Sequence, residues 1–192
     1  MSEPVDIDRP PEFSAPVRAD DVPHGGKTLR LVADADARRA VAERLDLVAL
    51  ETLEGEVLLK PIAGGPMLMA RGTVRARFTQ RCVVTLDPVE GALEERFEVE
   101  FGPPEPDSLE ETEREFTLDE PDPPEPIRDG RLDLGELLVQ QVALALDPFP
   151  RKPGVDLERA LADAPNGRAE AVEQDAPTGP FAALAKLKRG EG

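Results

Sequence analysis

Tryptophan and tyrosine are absent from the 192 residues, and seven phenylalanines are the whole aromatic content. A core must therefore rest on Leu, Val and Ala, and no rich platform for stacking single-stranded bases is available. Cysteine and histidine occur once each, as Cys82 and His24. One cysteine excludes an intrachain disulfide, and the two residues fall short of the roughly four ligands of a structural zinc site, so no metal or cofactor is expected. No apolar run approaches the roughly 20 residues of a membrane helix. The start, Met1-Ser-Glu-Pro-Val-Asp-Ile-Asp-Arg, is polar and acidic, unlike a secretory leader. These features point to a cytoplasmic setting without membrane contact. Positive charge is also scarce, at 23 Lys+Arg against 40 Asp+Glu, a net −17. That excludes a surface coated in cations to grip nucleic acid, while leaving room for a local basic patch.

Catalytic signatures are missing too. There is no phosphate-binding glycine loop, no metalloprotease helix motif and no nucleophile elbow. The carboxylates come in proline-separated runs rather than in a rigidly spaced pair, so an enzyme is not expected and no catalytic residue is assigned. His24 stands beside Gly25-Gly26 with no partner in view and receives no role.

What is present is a set of periodic segments. Phe13–Arg18 reads as a short extended stretch, an edge strand at best because of Pro16. Lys27–Val32 reads as a strand. Asp34–Leu45 reads as a helix, with Ala37, Ala40, Val41 and Leu45 on one stripe, Arg38, Arg39 and Glu43 off it, and an aspartate to cap it. Leu47–Ile62 reads as a strand in which Leu53, Val57 and Leu59 share a parity.

The strongest β signal runs from Arg71 to Leu86. Val74, Ala76, Phe78, Cys82, Val84 and Leu86 alternate with Arg71, Thr73, Arg75, Arg77, Thr79 and Arg81. After a turn predicted at Asp87–Gly91, Leu93, Phe97, Val99 and Phe101 alternate with Glu94, Glu98 and Glu100. The two runs predict a hairpin with one apolar layer, joining Phe78, Cys82 and Val84 to Phe97 and Val99, and one face of arginine beside glutamate.

Residues 90–129 hold 16 acidic and 3 basic side chains, a net −13, so the rest of the chain carries only −4. The prolines and like charges predict an acidic mobile loop over 103–126, with a short strand at Glu115–Leu118. A second helix then begins sharply. Asp133 and Glu136 have capping-box spacing, Pro148 stops the helix, and Leu134, Leu137, Leu138, Val142, Ala145 and Leu146 wrap more than one face, the mark of a well-buried helix. A weak helical patch follows at Val155–Leu161.

The predicted organisation is one α+β domain over 1–161, an antiparallel sheet (meander or barrel-like) packed with two main helices. A linker follows over 162–180, then a basic amphipathic motif over 181–192. In that motif Phe181, Leu184 and Leu187 supply the apolar series and Lys186, Lys188 and Arg189 the charge. About nine residues are too few for a stable isolated helix, so the motif needs a surface to lie on, a partner's or its own domain's. For the arginine stripe Arg71, Arg75, Arg77 and Arg81, the alternatives are an RNA-phosphate track and a solvated face paired with neighbouring glutamates. The surrounding acid favours the second. The parity of Cys82 makes it a small buried hydrophobe rather than a nucleophile.

Three segments together resemble one family. Gln80-Arg-Cys-Val-Val-Thr-Leu-Asp-Pro, Asp133-Leu-Gly-Glu-Leu with Gln141-Val-Ala-Leu-Ala-Leu-Asp-Pro, and Pro180-Phe-Ala-Ala-Leu-Ala-Lys-Leu-Lys resemble, in order and spacing, the YceD family of large ribosomal RNA subunit accumulation proteins, in its alphaproteobacterial form. The resemblance runs from about residue 70 to the C-terminus. It implies a cytoplasmic, non-enzymatic factor for the synthesis, processing or stability of large-subunit ribosomal RNA, in contact with ribosome-assembly proteins or the large-subunit precursor more than with RNA directly. Many relatives carry Cys-x-x-Cys pairs suggestive of zinc. Here Thr79 stands three before Cys82 and 148–153 contains no cysteine, so the hairpin must be held by packing. The competing expectation is an acidic adaptor or chaperone-like protein whose loop mimics nucleic acid and occupies a basic partner.

Overall fold

The computed structural model describes residues 11–62, 66–103 and 123–155. The strands are β1 (Pro16–Arg18), β2 (Lys27–Val32), β3 (Ala49–Pro61), β4 (Leu68–Arg81), β5 (Pro88–Gly102), β6 (Glu125–Pro126) and β7 (Arg131–Asp133), and the helices are α1 (Ala35–Arg44) and α2 (Leu134–Ala145). The fold is mixed α+β. The order β2-β3-β4-β5-β6 forms one sheet, antiparallel except for the short parallel β5–β6 pair, while β1 and β7 pair only with each other.

The sheet is a meander and is not closed into a barrel, which corrects the barrel-like alternative. β1 and β7, the segments available to bridge the gap, are taken up in their own two-stranded sheet. β6 ends on Pro126, whose nitrogen cannot donate to a further strand.

Both helix starts follow from aspartate. Asp34 Oδ1 accepts the Ala37 N–H at 2.8 Å and caps α1. The helix ends in a turn where Leu47 N–H reaches Ala42 O at 2.8 Å and Asp46 takes a φ of 52°, the left-handed closing residue. At α2, Asp133 Oδ1 accepts from Gly135 N at 2.9 Å and Glu136 N at 3.1 Å. The same carboxylate receives Ala15 N at 2.8 Å and the Ser14 hydroxyl at 2.5 Å, which ties the N-terminal segment to the helix start. The capping-box spacing is not used reciprocally: the Glu136 carboxylate turns away to Arg44 of α1, at 2.8 Å for both oxygens.

The register sorts side chains onto two faces. Opposed pairs Leu53–Ala76, Val57–Gly72 and Leu59–Ala70 point into the core, where α2 lies with Leu134, Leu137, Leu138, Val139 and Val142 buried. The Leu138 methyls sit over Gly55, where a Cβ would stand 2.7 Å from them. α1 adds Val41 and Ala42, and Phe13, Val17 and Val22 complete a single cluster. Leu144 and Phe149, at and beyond the end of α2, remain exposed.

The hairpin β4–β5 forms as expected, with a different turn. The strand was predicted to run to Leu86, but β4 stops at Arg81, which pairs with Pro88, and Cys82–Asp87 is the connection. Cys82 N–H binds Asp87 O at 2.8 Å, Leu86 N–H binds Cys82 O at 2.9 Å, and Leu86, with φ 62°, is exposed. Gly91, expected in the turn, lies inside β5 because the Phe78 ring covers it: a Cβ there would meet the ring at 2.5 Å. Phe97 covers Gly72 in the reverse direction, where a Cβ would stand 2.5 Å from Glu56 O and 2.6 Å from the ring. Of the expected apolar layer, Phe78 and Phe97 are buried, each over a glycine, with Val99 packed against the core, whereas Cys82 and Val84 lie in the connection beyond β4 and outside the core cluster.

Gly72→Ala should cost about 1–3 kcal/mol in urea unfolding, since neither the backbone carbonyl nor the ring can easily retreat. Gly25→Ala, which meets nothing within 4 Å, should change little. Arg44→Ala, which leaves Glu136 only its hydrogen bond from Gln140 at 3.3 Å and removes one of the contacts of Glu12, should cost about 1–2 kcal/mol with its partly exposed position allowed for, and calorimetry should show the lower midpoint.

Candidate functional site

Alternation along β4 carries Arg71, Arg75 and Arg77 onto the open face of the sheet, with Arg81 closing the strand. This face bears charge almost from edge to edge. Arg71 lies opposite Glu98 and pairs with it at 2.7 Å. Arg75 lies opposite Glu94 and grips it with two hydrogen bonds, both 3.0 Å. These bonds, and then the charges behind them, raise the affinity of both guanidiniums for their protons and lower the pKa of Glu94. The register continues the pattern onto β3, with Glu54 beside Arg75, and Arg30 on β2 pairs with Glu54 at 3.3 Å.

The other two arginines differ. Arg77 has Thr52 on one side and Ala92 on the other, and Arg81 lies opposite Pro88. Among the described residues no carboxylate pairs with either. The stripe thus divides into two arginines bonded to glutamate and two that keep all their donors available. Strand parity alone makes the four equivalent; the cross-strand register separates them.

At the far end of the hairpin, Cys82 is fully buried. Lys152 N–H donates to its Sγ at 3.4 Å, Val83 N–H donates to Pro150 O at 2.9 Å, and Lys152 Nζ pairs with Asp87 at 3.0 Å. The thiol therefore anchors the segment after α2 onto the β4–β5 turn. Hydrogen bonds from the Thr85 side chain, then from the backbone N–H groups of Lys152 and Thr85, bring it down from 9.0 to about 6 against the opposing effect of burial. Lys152 also holds the Asp87 carboxyl below its ordinary value. His24 is exposed. Among the described residues no group of three or more His, Cys, Asp or Glu is placed to hold a metal ion.

The expected site in 181–192, with Phe181, Leu184, Lys186, Leu187, Lys188 and Arg189, lies outside the described residues. So do the linker over 162–180, residues 156–161 of the helical patch, the strand expected at Glu115–Leu118, and residues 104–122 of the acidic loop. The end of that loop is described, and there Glu125–Pro126 forms β6 alongside Phe101–Gly102. Sequence reasoning missed the Arg44 triad, in which one guanidinium meets Glu12 at 2.9 Å and Glu136 at 2.8 Å. Separations of 32 and 92 residues leave no local signal for it.

An open meander with one face under a helix and the other an array of charged side chains defines a small α+β protein built around an exposed sheet surface. The chain belongs to the YceD family: the family model described as large ribosomal RNA subunit accumulation protein YceD matches residues 70–188. The match covers β4 from Ala70 onward, β5, the acidic segment, α2 and 181–188 of the C-terminal segment, the same region as the resemblance. The family is described by accumulation of large-subunit ribosomal RNA, not by a reaction. No curated protein and no solved structure matches the chain. Among the described residues no helix is long and apolar enough to cross a membrane.

The thiol leads to a pH prediction. The unfolded chain keeps its thiol proton up to about pH 9, whereas the folded chain releases it near 6. Between these values the folded state binds fewer protons, so stability rises with pH and is lost as pH falls through about 6. Urea midpoints measured from pH 6 to 9 should therefore climb more steeply for the natural chain than for Cys82→Ala; equal slopes would remove this role for the thiol.

Proposed function

We propose that this protein is a non-enzymatic, cytoplasmic factor that supports the synthesis, processing or stability of large-subunit ribosomal RNA. The match of residues 70–188 to the family model carries the reading. Its contacts are chiefly with ribosome-assembly proteins or the large-subunit precursor. The basic amphipathic motif, with Phe181, Leu184 and Leu187 as apolar anchors and Lys186, Lys188 and Arg189 as its charge, is the partner-binding element. Direct RNA contact on the sheet falls to Arg77 and Arg81, because Arg71 and Arg75 have their forks on glutamate. A chain with a net charge of −17 approaches RNA best through such a restricted patch, or through a protein that is itself basic.

Depleting the protein and quantifying mature large-subunit ribosomal RNA tests the reading: the expected result is a fall in the mature species, and unchanged levels contradict it. Affinity capture with the full chain, with 181–192 removed and with 103–126 removed locates the contact. Loss of ribosomal-precursor components only on removal of 181–192 is expected. Loss only on removal of 103–126 would instead favour an acidic mimic of nucleic acid.

A further inference from the structure

A shallow groove of about 580 Å³ crosses the sheet from the end of β2 over β3 and β4 to β5, and both Arg38 of α1 and Arg77 of β4 line it, together with Thr52, Glu54, Arg75 and Glu94. Its two carboxylates are already engaged. Glu54 takes Arg30 at 3.3 Å, and Glu94 takes the fork of Arg75 at 3.0 Å. Arg38 is half-buried and held in place by one bond, from its Nη1 to Ala33 O at 2.7 Å, which leaves its other nitrogens available. Arg77 is exposed and, among the described residues, has no carboxylate partner. Three arginines against two glutamates line this groove. The ion pairs leave two guanidiniums, from two different elements, with donors to spare.

We propose that the groove between Arg38 and Arg77 binds a phosphate oxyanion. A carboxylate has two oxygens in one plane and satisfies a single fork, as Glu94 does for Arg75. A phosphate presents oxygens in several directions and accepts guanidiniums that approach from separate elements, with the Thr52 hydroxyl available as a further donor. One arginine pre-oriented by a backbone carbonyl lowers the ordering cost of binding. The phosphodiester of an RNA strand and a free phosphate share this chemistry. Assigning RNA as the source rests on the function proposed above; the site itself does not.

Side-chain nitrogen resonances of arginine, recorded on the full chain, test both points. Inorganic phosphate and a short single-stranded RNA are titrated separately. The expected result is saturable movement of the Arg38 and Arg77 signals, with affinity reduced about tenfold or more in Arg38→Ala/Arg77→Ala. The charge-matched variant Arg18→Ala/Arg39→Ala should be little changed. Equal losses in the two variants would reduce the effect to overall charge and overturn the proposal, as would still resonances with both ligands. Response to phosphate but not to RNA upholds the site and removes RNA as its source. Response to RNA through these two arginines, without response to free phosphate, upholds both.

Discussion

α2 lies across the buried face of the sheet, and the rest of the molecule is arranged around that contact. Its apolar residues wrap more than half of the helix, and all of Leu134, Leu137, Leu138, Val139 and Val142 are buried. Close approach depends on the places where side chains are missing. Leu138 settles on Gly55, and the backbone of Phe13 passes so near Gly135 that a Cβ there would lie 2.4 Å from its carbonyl oxygen. Asp133 fastens the same helix end to Ser14 and Ala15, and Arg44 joins it to α1 through Glu136. One short helix thus gathers the N-terminal segment, both sheets and α1.

The consequence for function is that the other face of the sheet is left open. With no helix of the described residues over it, β-strand alternation places its polar side chains in solvent, where cross-strand register decides which charges meet. Arg71 and Arg75 find glutamates opposite them; Arg77 finds Ala92 and Arg81 finds Pro88. The acidity of the chain is therefore a poor guide to this surface. Most of the negative charge lies in residues 90–129, and on the sheet it is partly cancelled in pairs, so a cationic groove persists in a protein of net charge −17.

Much of this was legible from periodicity. The limits of β2, the aspartate caps of α1 and α2, the burial of α2 and the arginine–glutamate face all follow from local patterns, which the chain obeys because the same residues must satisfy both local geometry and the core. Three features did not show. The β4–β5 turn was displaced because Gly91 resembles a turn residue, whereas it serves as the floor for Phe78. Glu136 has the spacing of a reciprocal cap but is drawn away by Arg44, a partner 92 residues distant. Arg38 falls off the apolar stripe of α1 and carries no local sign of a role; only the tertiary fold brings it to the groove that Arg77 also lines. Long-range pairing is the common thread, and local spacing contains no record of it.

α2 and the sheet form one cooperative unit whose buried face leaves the charged face open. Amide hydrogen exchange on the full chain, followed residue by residue, tests it most directly. The slowest amides of α2, β3 and β4 should share a single opening free energy, because separating the helix exposes the whole core. Fast, independent exchange throughout α2 beside a protected sheet would contradict it.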